Sequence, residues 1–283
     1  MSISAAGTID IQNLGSVTRL GFGAMRITGQ GIWGEPADPD GARAVVRAAV
    51  ENGVDFIDTA DSYGPEVSER ILAETLHPYP QGLRLATKAG QARTGPNQWV
   101  PLGRKEYLRQ QAELSLRRLG VEALDAFQLH RIDPKVDLAE QFGEMSRLQA
   151  EGKVRALGLS EVSVEQIQQA QQYFTVSTVQ NRYSLDERKW EDVLQYCTEH
   201  QIAFIPWAPL AGGSLTEPGG AVDAAARRLG ATHAQVALAW LLQHSPMMLP
   251  IPGTSSVAHL QDNLGAADLQ LDEQAVAELD AAG

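Results

Sequence analysis

The sequence contains a single cysteine, Cys197, among its 283 residues. One cysteine cannot form a disulfide within the chain, and it excludes a zinc site made of several cysteines. A chain without disulfides suits a reducing compartment, so we expect a cytoplasmic protein. The first fifteen residues also lack the basic and apolar regions of a signal peptide, and we expect no secretory leader.

Positive charge is scarce as well. The chain has 23 Lys and Arg residues against 35 Asp and Glu residues, which gives a net charge of −12. Nucleic acids and anionic membranes are bound by basic surfaces, so we expect neither as a partner. No apolar run reaches the roughly 18 residues of a membrane-spanning helix. We therefore expect a small-molecule partner and a monomer or weak homo-oligomer.

Domain boundaries are also missing from the sequence. No low-complexity tract and no stretch rich in Pro, Gly or Ser divides the chain. Domains usually have about 100–200 residues, but α/β barrels reach about 250 as one unit. We predict a single domain over residues 1–283.

What the chain does contain is a series of short β-type runs that alternate with longer helical patterns. The runs are mostly apolar with little alternation, which is typical of strands covered on both faces. Eight such runs are present: Val17–Phe22, Val54–Thr59, Leu83–Lys88, Ala126–His130, Val154–Leu159, Thr175–Gln180, Ile202–Trp207 and Met247–Ile251.

Amphipathic helices are predicted between these strands. A Gly directly after the periodic pattern marks several helix ends, and a capping box marks the start at Ser163. The clearest helices cover Asp40–Asn52, Lys105–Leu119, Leu138–Glu151 and Ser163–Tyr173.

Repeated strand–helix units over eight strands predict a closed (β/α)8 TIM barrel. The segment Thr8–Leu20 predicts a β-hairpin ahead of it. An open doubly wound sheet is the alternative. It usually carries a glycine fingerprint after its first strand, and Gly21–Met25 lacks the third glycine of that fingerprint.

Polar side chains end several predicted strands, and barrel enzymes place their chemistry at those ends. Thirty residues separate Asp58 from Lys88, and 42 separate Lys88 from His130. Each interval fits one strand–helix unit, so the three residues belong on one rim. Lys88 is the only one of five lysines that closes an apolar strand, and lysine is rarely buried without a partner.

Asp58 and Lys88 on one rim form an ion pair that is costly to bury for structural purposes alone. Tyr63 follows five residues after Asp58, near enough for its hydroxyl to return over the barrel mouth. A phenol with a pKa near about 10 is a poor acid at neutral pH. A neighbouring ammonium lowers the pKa of the phenol, so we expect Lys88 to make Tyr63 a usable proton donor.

Six stretches of the sequence, in this order, resemble the aldo-keto reductases. The resemblance covers nearly the whole chain, and its finer features are similar to the bacterial branch that includes pyridoxal reductases. The stretches are GVDFIDTADSYG at 53–64, LATK at 85–88, QLH at 128–130, GLSEVS at 158–163, QNRYS at 180–184 and IPGTSS at 251–256.

The resemblance implies a catalytic tetrad of Asp58, Tyr63, Lys88 and His130. Tyr63 would protonate a carbonyl oxygen as hydride arrives from NADPH, and His130 would orient that oxygen as a neutral donor. Ser160 and Gln180 would hold the nicotinamide carboxamide, and Trp207 would stack on the ring. The other implied cofactor contacts are Gly23, Met25, Asp58, Ala208, Pro209, Leu210, Gly212, Gly213, Gly253, Thr254, Ser255, His259, Asp262 and Asn263.

The chain departs from the family pattern at three places. Glu161 stands where relatives have Asn beside the nicotinamide, and it is expected to turn away. Gly253 and His259 stand where many relatives have Lys and Arg, and residues 248–265 contain no Lys or Arg at all. NADPH is the expected cofactor, with NADH possible. The segment 211–220 is short, which predicts faster cofactor exchange.

Trp33, Trp99 and Arg131 are the candidate substrate-binding residues. Two loop tryptophans suit a flat or aromatic substrate, or merely fill loop contacts. Arg131 suits an anionic substituent, or a surface Asp. The expected function is reduction of an aldehyde or ketone, with pyridoxal a candidate.

Two other functions compete with reduction. The first is a cofactor-sensing regulatory protein with negligible turnover, which need not keep an acid such as Tyr63. The second is a barrel hydrolase or isomerase that uses Asp58 and Asp61, which leaves Lys88 unexplained. We predict no metal site, because the sequence offers no suitable His and carboxylate cluster.

Overall fold

The computed structural model describes residues 3–211 and 219–282. Short 3-10 helices lie at Ile3–Ala6, Ala24–Ile27 and Gly265–Asp268. Within the described ranges the strands are β1 Thr8–Ile11, β2 Gly15–Thr18, β3 Phe22–Gly23, β4 Phe56–Asp58, β5 Arg84–Ala89, β6 Gln91–Gly95, β7 Gln98–Pro101, β8 Leu124–Leu129, β9 Val154–Ser160, β10 Val176–Gln180 and β11 Ala203–Phe204. The α-helices are α1 Pro39–Glu51, α2 Val67–Leu76, α3 Lys105–Leu119, α4 Leu138–Ala150, α5 Val164–Ala170, α6 Glu191–Glu199, α7 Ala221–Leu229, α8 His233–His244, α9 Val257–Leu264 and α10 Glu273–Asp280.

Seven parallel strands form a curled sheet in the order β11-β10-β9-β8-β5-β4-β3. The segment 247–252 closes it. The Leu249 amide donates to the Phe204 carbonyl at 2.8 Å, and the Gly21 amide donates to Pro250 at 2.9 Å. Pro250 and Pro252 have no N–H, so this eighth member makes no continuous ladder. The predicted (β/α)8 barrel is confirmed.

The strand register brings the polar strand ends to one rim. Asp58 lies opposite Ala86 on β5, and Lys88 lies opposite Gln128 on β8. Gln180 on β10 lies opposite Ser160 on β9. Parallel strands in register end together, so these side chains surround the same opening of the barrel.

The β1–β2 hairpin covers the opposite opening. Ile9, Ile11 and Val17 pack into the cluster that fills the barrel interior, where several strands contribute only alanine. The predicted strand Val17–Phe22 was wrong in its bounds. Its first residues pair within the hairpin, and the barrel strand β3 begins at Phe22.

The four predicted helices are present, and their ends match the structure to within three residues. Ser163 caps α5 through a capping box with Gln166, and α3 ends at Gly120, whose positive φ suits glycine. The sequence prediction did not include the β6–β7 hairpin that follows β5. No helix among residues 3–211 and 219–282 is long and apolar enough to cross a membrane.

Candidate active site

A buried ion pair lies at the carboxyl ends of β4 and β5. The Lys88 Nζ donates to Asp58 Oδ2 at 2.6 Å and to the Thr59 carbonyl at 2.8 Å. Lys88 is fully buried and Asp58 nearly so. Burial lowers the pKa of Lys88, but Asp58 and Tyr63 more than offset this, so the pKa rises and the ammonium stays charged.

Tyr63 lies in the turn that leads from β4 to α2. The Lys88 Nζ donates to its hydroxyl oxygen at 3.3 Å, as the sequence predicted. The expected lowering of the Tyr63 pKa is not found. Burial raises the pKa more than Lys88 lowers it, and the nearby Asp58 raises it further. Tyr63 is therefore a protonated phenol beside a fixed ammonium.

His130 follows β8 and contacts Tyr63 edge to face, with ring centroids 5.8 Å apart. Its Nδ1 lies 3.2 Å from the Ser62 hydroxyl. Burial, together with the charges of Lys88, Arg131 and Arg93, holds the pKa of His130 well below its usual range. The imidazole is therefore neutral at neutral pH. If Ser62 donates to Nδ1, the other ring nitrogen carries the proton.

Two glutamine amides hold the second oxygen of Asp58. Gln180 Nε2 donates to Asp58 Oδ1 at 2.9 Å, and Gln128 Nε2 donates at 3.3 Å. Gln180 was predicted only as a cofactor contact, whereas in the structure its amide nitrogen also belongs to the ion-pair network. Gln128 was missed. Its position two residues before His130 on the same strand face was the available signal.

A cavity of about 640 Å³ opens above this network, within the range of small-molecule sites. Lys88 lies below its floor. The lining includes most of the residues predicted for catalysis and for the cofactor, namely Gly23, Met25, Asp58, Tyr63, His130, Ser160, Gln180, Trp207, Ala208, Pro209, Leu210 and Gly253. It also includes Arg26, Gln91 and His233, which the sequence analysis did not assign.

Trp207 lines the cavity and is held by Glu161. Its indole N–H donates to Glu161 Oε1 at 2.7 Å. The same oxygen accepts from the Arg182 backbone N–H at 2.6 Å. Glu161 is not among the lining residues, as expected for a side chain that turns away. The carboxylate fixes the indole instead.

Arg131 lines the cavity next to Ser160. Its Nη1 donates to Ser160 Oγ at 3.0 Å and to the His130 carbonyl at 2.6 Å. No carboxylate among the described residues lies within ion-pair distance of it. The surface-Asp alternative therefore does not hold for Arg131.

The cofactor residues predicted near the chain's end lie mostly outside the cavity lining. Thr254 accepts from the Ser256 backbone N–H at 3.1 Å, and Asp262 accepts from the Thr232 hydroxyl at 3.1 Å. Ser255, His259 and Asn263 do not line the cavity either, and Asn263 is buried. Gly212 and Gly213 fall outside the described residues.

The two predicted substrate-binding tryptophans differ in position. Trp99 lines the cavity and contacts both Tyr63 and His130 edge to face, with centroid distances of 6.4 and 6.2 Å. Trp33 is 37% exposed and is not part of the lining.

Within the described ranges, no group of three or more His, Cys, Asp and Glu side chains is arranged to hold a metal ion.

Comparison with known proteins decides the family. The aldo/keto reductase family model matches residues 19–283. The chain belongs to this family. It is 52% identical to an uncharacterized oxidoreductase of Schizosaccharomyces pombe, over 99% of this chain and 91% of the relative.

Two further relatives bear on the chemistry. The chain is 38% identical to pyridoxine 4-dehydrogenase of Escherichia coli, over 94% of each chain. It also resembles the crystal structure of an aldo-keto reductase from Klebsiella pneumoniae in complex with NADPH. That TM-score is 0.82 at 28% identity, over 97% of this chain and 94% of the other. The resemblance and the barrel inferred from the sequence are both confirmed.

Proposed function

We propose that the chain reduces the carbonyl of an aldehyde or ketone with NADPH, and that Tyr63 is the proton donor. One observation carries the proposal. The Lys88 ammonium lies between Asp58 Oδ2, at 2.6 Å, and the Tyr63 hydroxyl, at 3.3 Å, below a cavity of about 640 Å³. This arrangement provides a proton donor, a fixed positive charge and a cavity in the size range of small-molecule sites.

The lining residues fit a nicotinamide cofactor, which supplies hydride when bound. The Trp207 indole offers a flat surface for a ring. The Ser160 hydroxyl and the free amide oxygen of Gln180 suit a carboxamide, which has both donors and acceptors. Gly23 and Gly253 present only backbone to the cavity. The matched structure from Klebsiella pneumoniae, a complex with NADPH, supports the same cofactor here.

Tyr63 gives its proton to the oxygen that gains negative charge. A raised pKa keeps the phenol protonated over the neutral range, and the developing alkoxide is far more basic than a phenolate. Lys88 stabilises the phenolate that remains, and Asp58 keeps Lys88 in place. His130, neutral and adjacent, donates a hydrogen bond to the same oxygen. A positioned acid of this kind contributes about 10²–10⁴-fold in rate.

The choice between NADPH and NADH depends on residues 248–265, which would meet the extra phosphate of NADPH and which contain no Lys or Arg. Charge-assisted bonds from arginine are the strong contacts for a phosphate. In their place this chain offers the hydroxyls of Thr254 and Ser255 and the N-terminus of α9, where Ser256 caps the helix. NADPH is the proposed cofactor, with NADH as a weaker one.

Pyridoxal is the proposed candidate substrate. The relative at 38% identity is a pyridoxine 4-dehydrogenase, and pyridoxal is the aldehyde that oxidation of pyridoxine at its 4-position yields. The Trp99 ring beside Tyr63 and His130 suits a planar aromatic aldehyde. Arg131, without a carboxylate partner among the described residues, suits an anionic substituent.

We further propose that the chain forms one domain. One hydrophobic cluster extends from Ile3 to Leu279, which supports a single domain over 1–283. We also propose a cytoplasmic location and a monomeric or weakly homo-oligomeric state.

The test is an absorbance assay with NADPH or NADH and a panel of aldehydes that includes pyridoxal. We expect turnover with NADPH, and a loss of at least about 10²-fold in kcat for Tyr63→Phe with cofactor binding retained. Full activity of Tyr63→Phe would contradict the proton-donor role. Cofactor binding without turnover by the unmodified chain would favour the regulatory alternative.

A further inference from the structure

Arg93 lies in β6, near the cavity but outside its lining, and none of the steps above uses it. Its guanidinium has five N–H donors. All five bond to backbone carbonyls: Gln98 at 2.9 Å, Ile32 at 2.6 Å, Ser62 at 2.9 Å, Gly31 at 2.8 Å and Gly95 at 3.3 Å. No N–H of the Arg93 guanidinium is therefore left for solvent or for a carboxylate. The side chain instead joins backbone segments.

These carbonyls belong to three segments that are far apart in sequence. Gly31 and Ile32 lie in the loop before α1. Ser62 lies in the turn after β4, directly before Tyr63. Gln98 and Gly95 lie in the β6–β7 hairpin that carries Trp99. Arg93 therefore joins the turn of the proton donor to two loops at the barrel mouth.

The same guanidinium covers the Trp99 ring. Its central carbon lies 3.6 Å from the ring centroid, which is a close cation–π contact. Trp99 in turn contacts Tyr63 and His130 edge to face. The Trp33 ring centroid lies 5.7 Å from the same carbon. Arg93 is therefore in contact with the ring that lies beside the reacting groups.

We propose that Arg93 is a positioning residue that gives the enzyme its preference for planar aromatic carbonyl substrates, by holding Trp99 beside Tyr63 and His130. The inference rests on the proposed reductase function. A planar aromatic aldehyde gains stacking area from a fixed indole, whereas a short aliphatic aldehyde gains little. A substrate that is displaced from its reactive position loses rate, because the reacting atoms must be held close together and in line.

The test is a double-mutant cycle with Arg93→Gln and Trp99→Ala, in which kcat/KM is measured for pyridoxal, 4-nitrobenzaldehyde and butanal. We expect Arg93→Gln to lower the aromatic-to-aliphatic ratio by about tenfold, the scale of 1.4 kcal/mol. In the Trp99→Ala background the same change has almost no further effect on the ratio, because the group it positions is gone. The Kd for NADPH stays unchanged.

Arg155→Gln is the matched control. Arg155 lies near the start of β9, at the end of the barrel that the β1–β2 hairpin covers, away from the cavity. This substitution also removes one positive charge, and we expect it to leave the aromatic-to-aliphatic ratio of kcat/KM unchanged. If Arg93→Gln does not unfold cooperatively, Arg93→Lys enters the cycle instead, because it keeps the charge but loses the fork of donors. A smaller loss of the same ratio is then expected.

Independent, multiplicative effects of the two substitutions on the ratio would overturn the role of Arg93 while the reductase function stands. An equal loss for aromatic and aliphatic aldehydes would do the same. Failure of the unmodified chain to reduce any of the three aldehydes overturns the reductase function, and the inference with it.

Discussion

At the scale of single residues, Glu161 shows how a departure from a family pattern is accommodated. A carboxylate beside a nicotinamide can only accept hydrogen bonds when ionised. Here one of its oxygens accepts from the Trp207 indole and from the Arg182 backbone. The residue has a positive φ, which turns its side chain out of the strand direction. Glu161 is a support for the proposed stacking surface.

We expect Glu161→Ala to weaken NADPH binding by about tenfold, because a hydrogen bond to a charged acceptor contributes about 1.5–3 kcal/mol and Trp207 loses its partner. Glu161→Gln keeps an acceptor oxygen and should bind nearly as the unmodified chain does. Both effects should be equal for NADH, since the nicotinamide is common to the two cofactors. Calorimetric titration measures the Kd values. An unchanged Kd for Glu161→Ala would remove Trp207 from the cofactor site.

At the scale of elements, the β1–β2 hairpin and the loops at the other end of the barrel have separate tasks. The hairpin contacts the starts of the barrel strands, where the Arg84 side chain donates to the Leu14 carbonyl and Thr18 donates to Asp55. The proposed chemistry lies at the strand ends. Stability and function are therefore expected to be separable by element.

We expect Ile11→Ala to lower the free energy of unfolding by about 2–5 kcal/mol, because Ile11 is buried in the barrel interior and the substitution leaves a cavity there. The kcat of the folded enzyme should not change. Asp10→Ala on the exposed face of the same strand is the control, expected within about 0.5 kcal/mol. Urea unfolding measures both. A loss of kcat in folded Ile11→Ala would contradict the separation.

Some of these elements could be predicted from the sequence and others could not. Apolar runs and strand-end spacing predicted the barrel and brought Asp58, Lys88 and His130 to one rim, because parallel strands fix that geometry. The β6–β7 hairpin escaped prediction because its polar residues follow no period. The contacts of Arg93 and the second role of Gln180 depend on three-dimensional neighbours, which no spacing in the sequence reveals.

At the scale of the whole molecule, a polar network is buried between the barrel and its outer helices. Asp61, two residues before Tyr63, is 3% exposed, and one of its carboxylate oxygens has no hydrogen-bond partner. The other accepts from Tyr107 on α3 at 3.4 Å. Glu69 on α2 and Arg118 on α3 pair with each other nearby. Burial first, and then repulsion from Glu69, raise the pKa of Asp61 well above its usual range, although Arg118 opposes this.

The raised pKa fixes the sign of a pH effect on stability. The folded state holds the Asp61 proton more tightly than the unfolded state does. This contribution is therefore complete below the unfolded pKa of about 3.9, and it is lost as the pH rises through the folded pKa. At neutral pH, where the unfolded carboxyl is ionised, burial of Asp61 costs stability whether the carboxyl stays ionised or takes up a proton. Asp61→Asn removes that cost and should raise the stability by roughly 1 kcal/mol, or about 2–4 °C in Tm.

The decisive measurement is the pH dependence of this difference, taken from thermal unfolding between pH 4.5 and 8. The advantage of Asp61→Asn should be largest at the alkaline end and shrink towards acid, as the folded-state carboxyl takes up its proton. Asp10→Asn, at an exposed site, controls for the loss of one negative charge from a chain of net charge −12. A difference that does not vary with pH would mean that folding does not shift the pKa of Asp61. A less stable Asp61→Asn at pH 8 would mean that the network around the Asp61 carboxylate stabilises it.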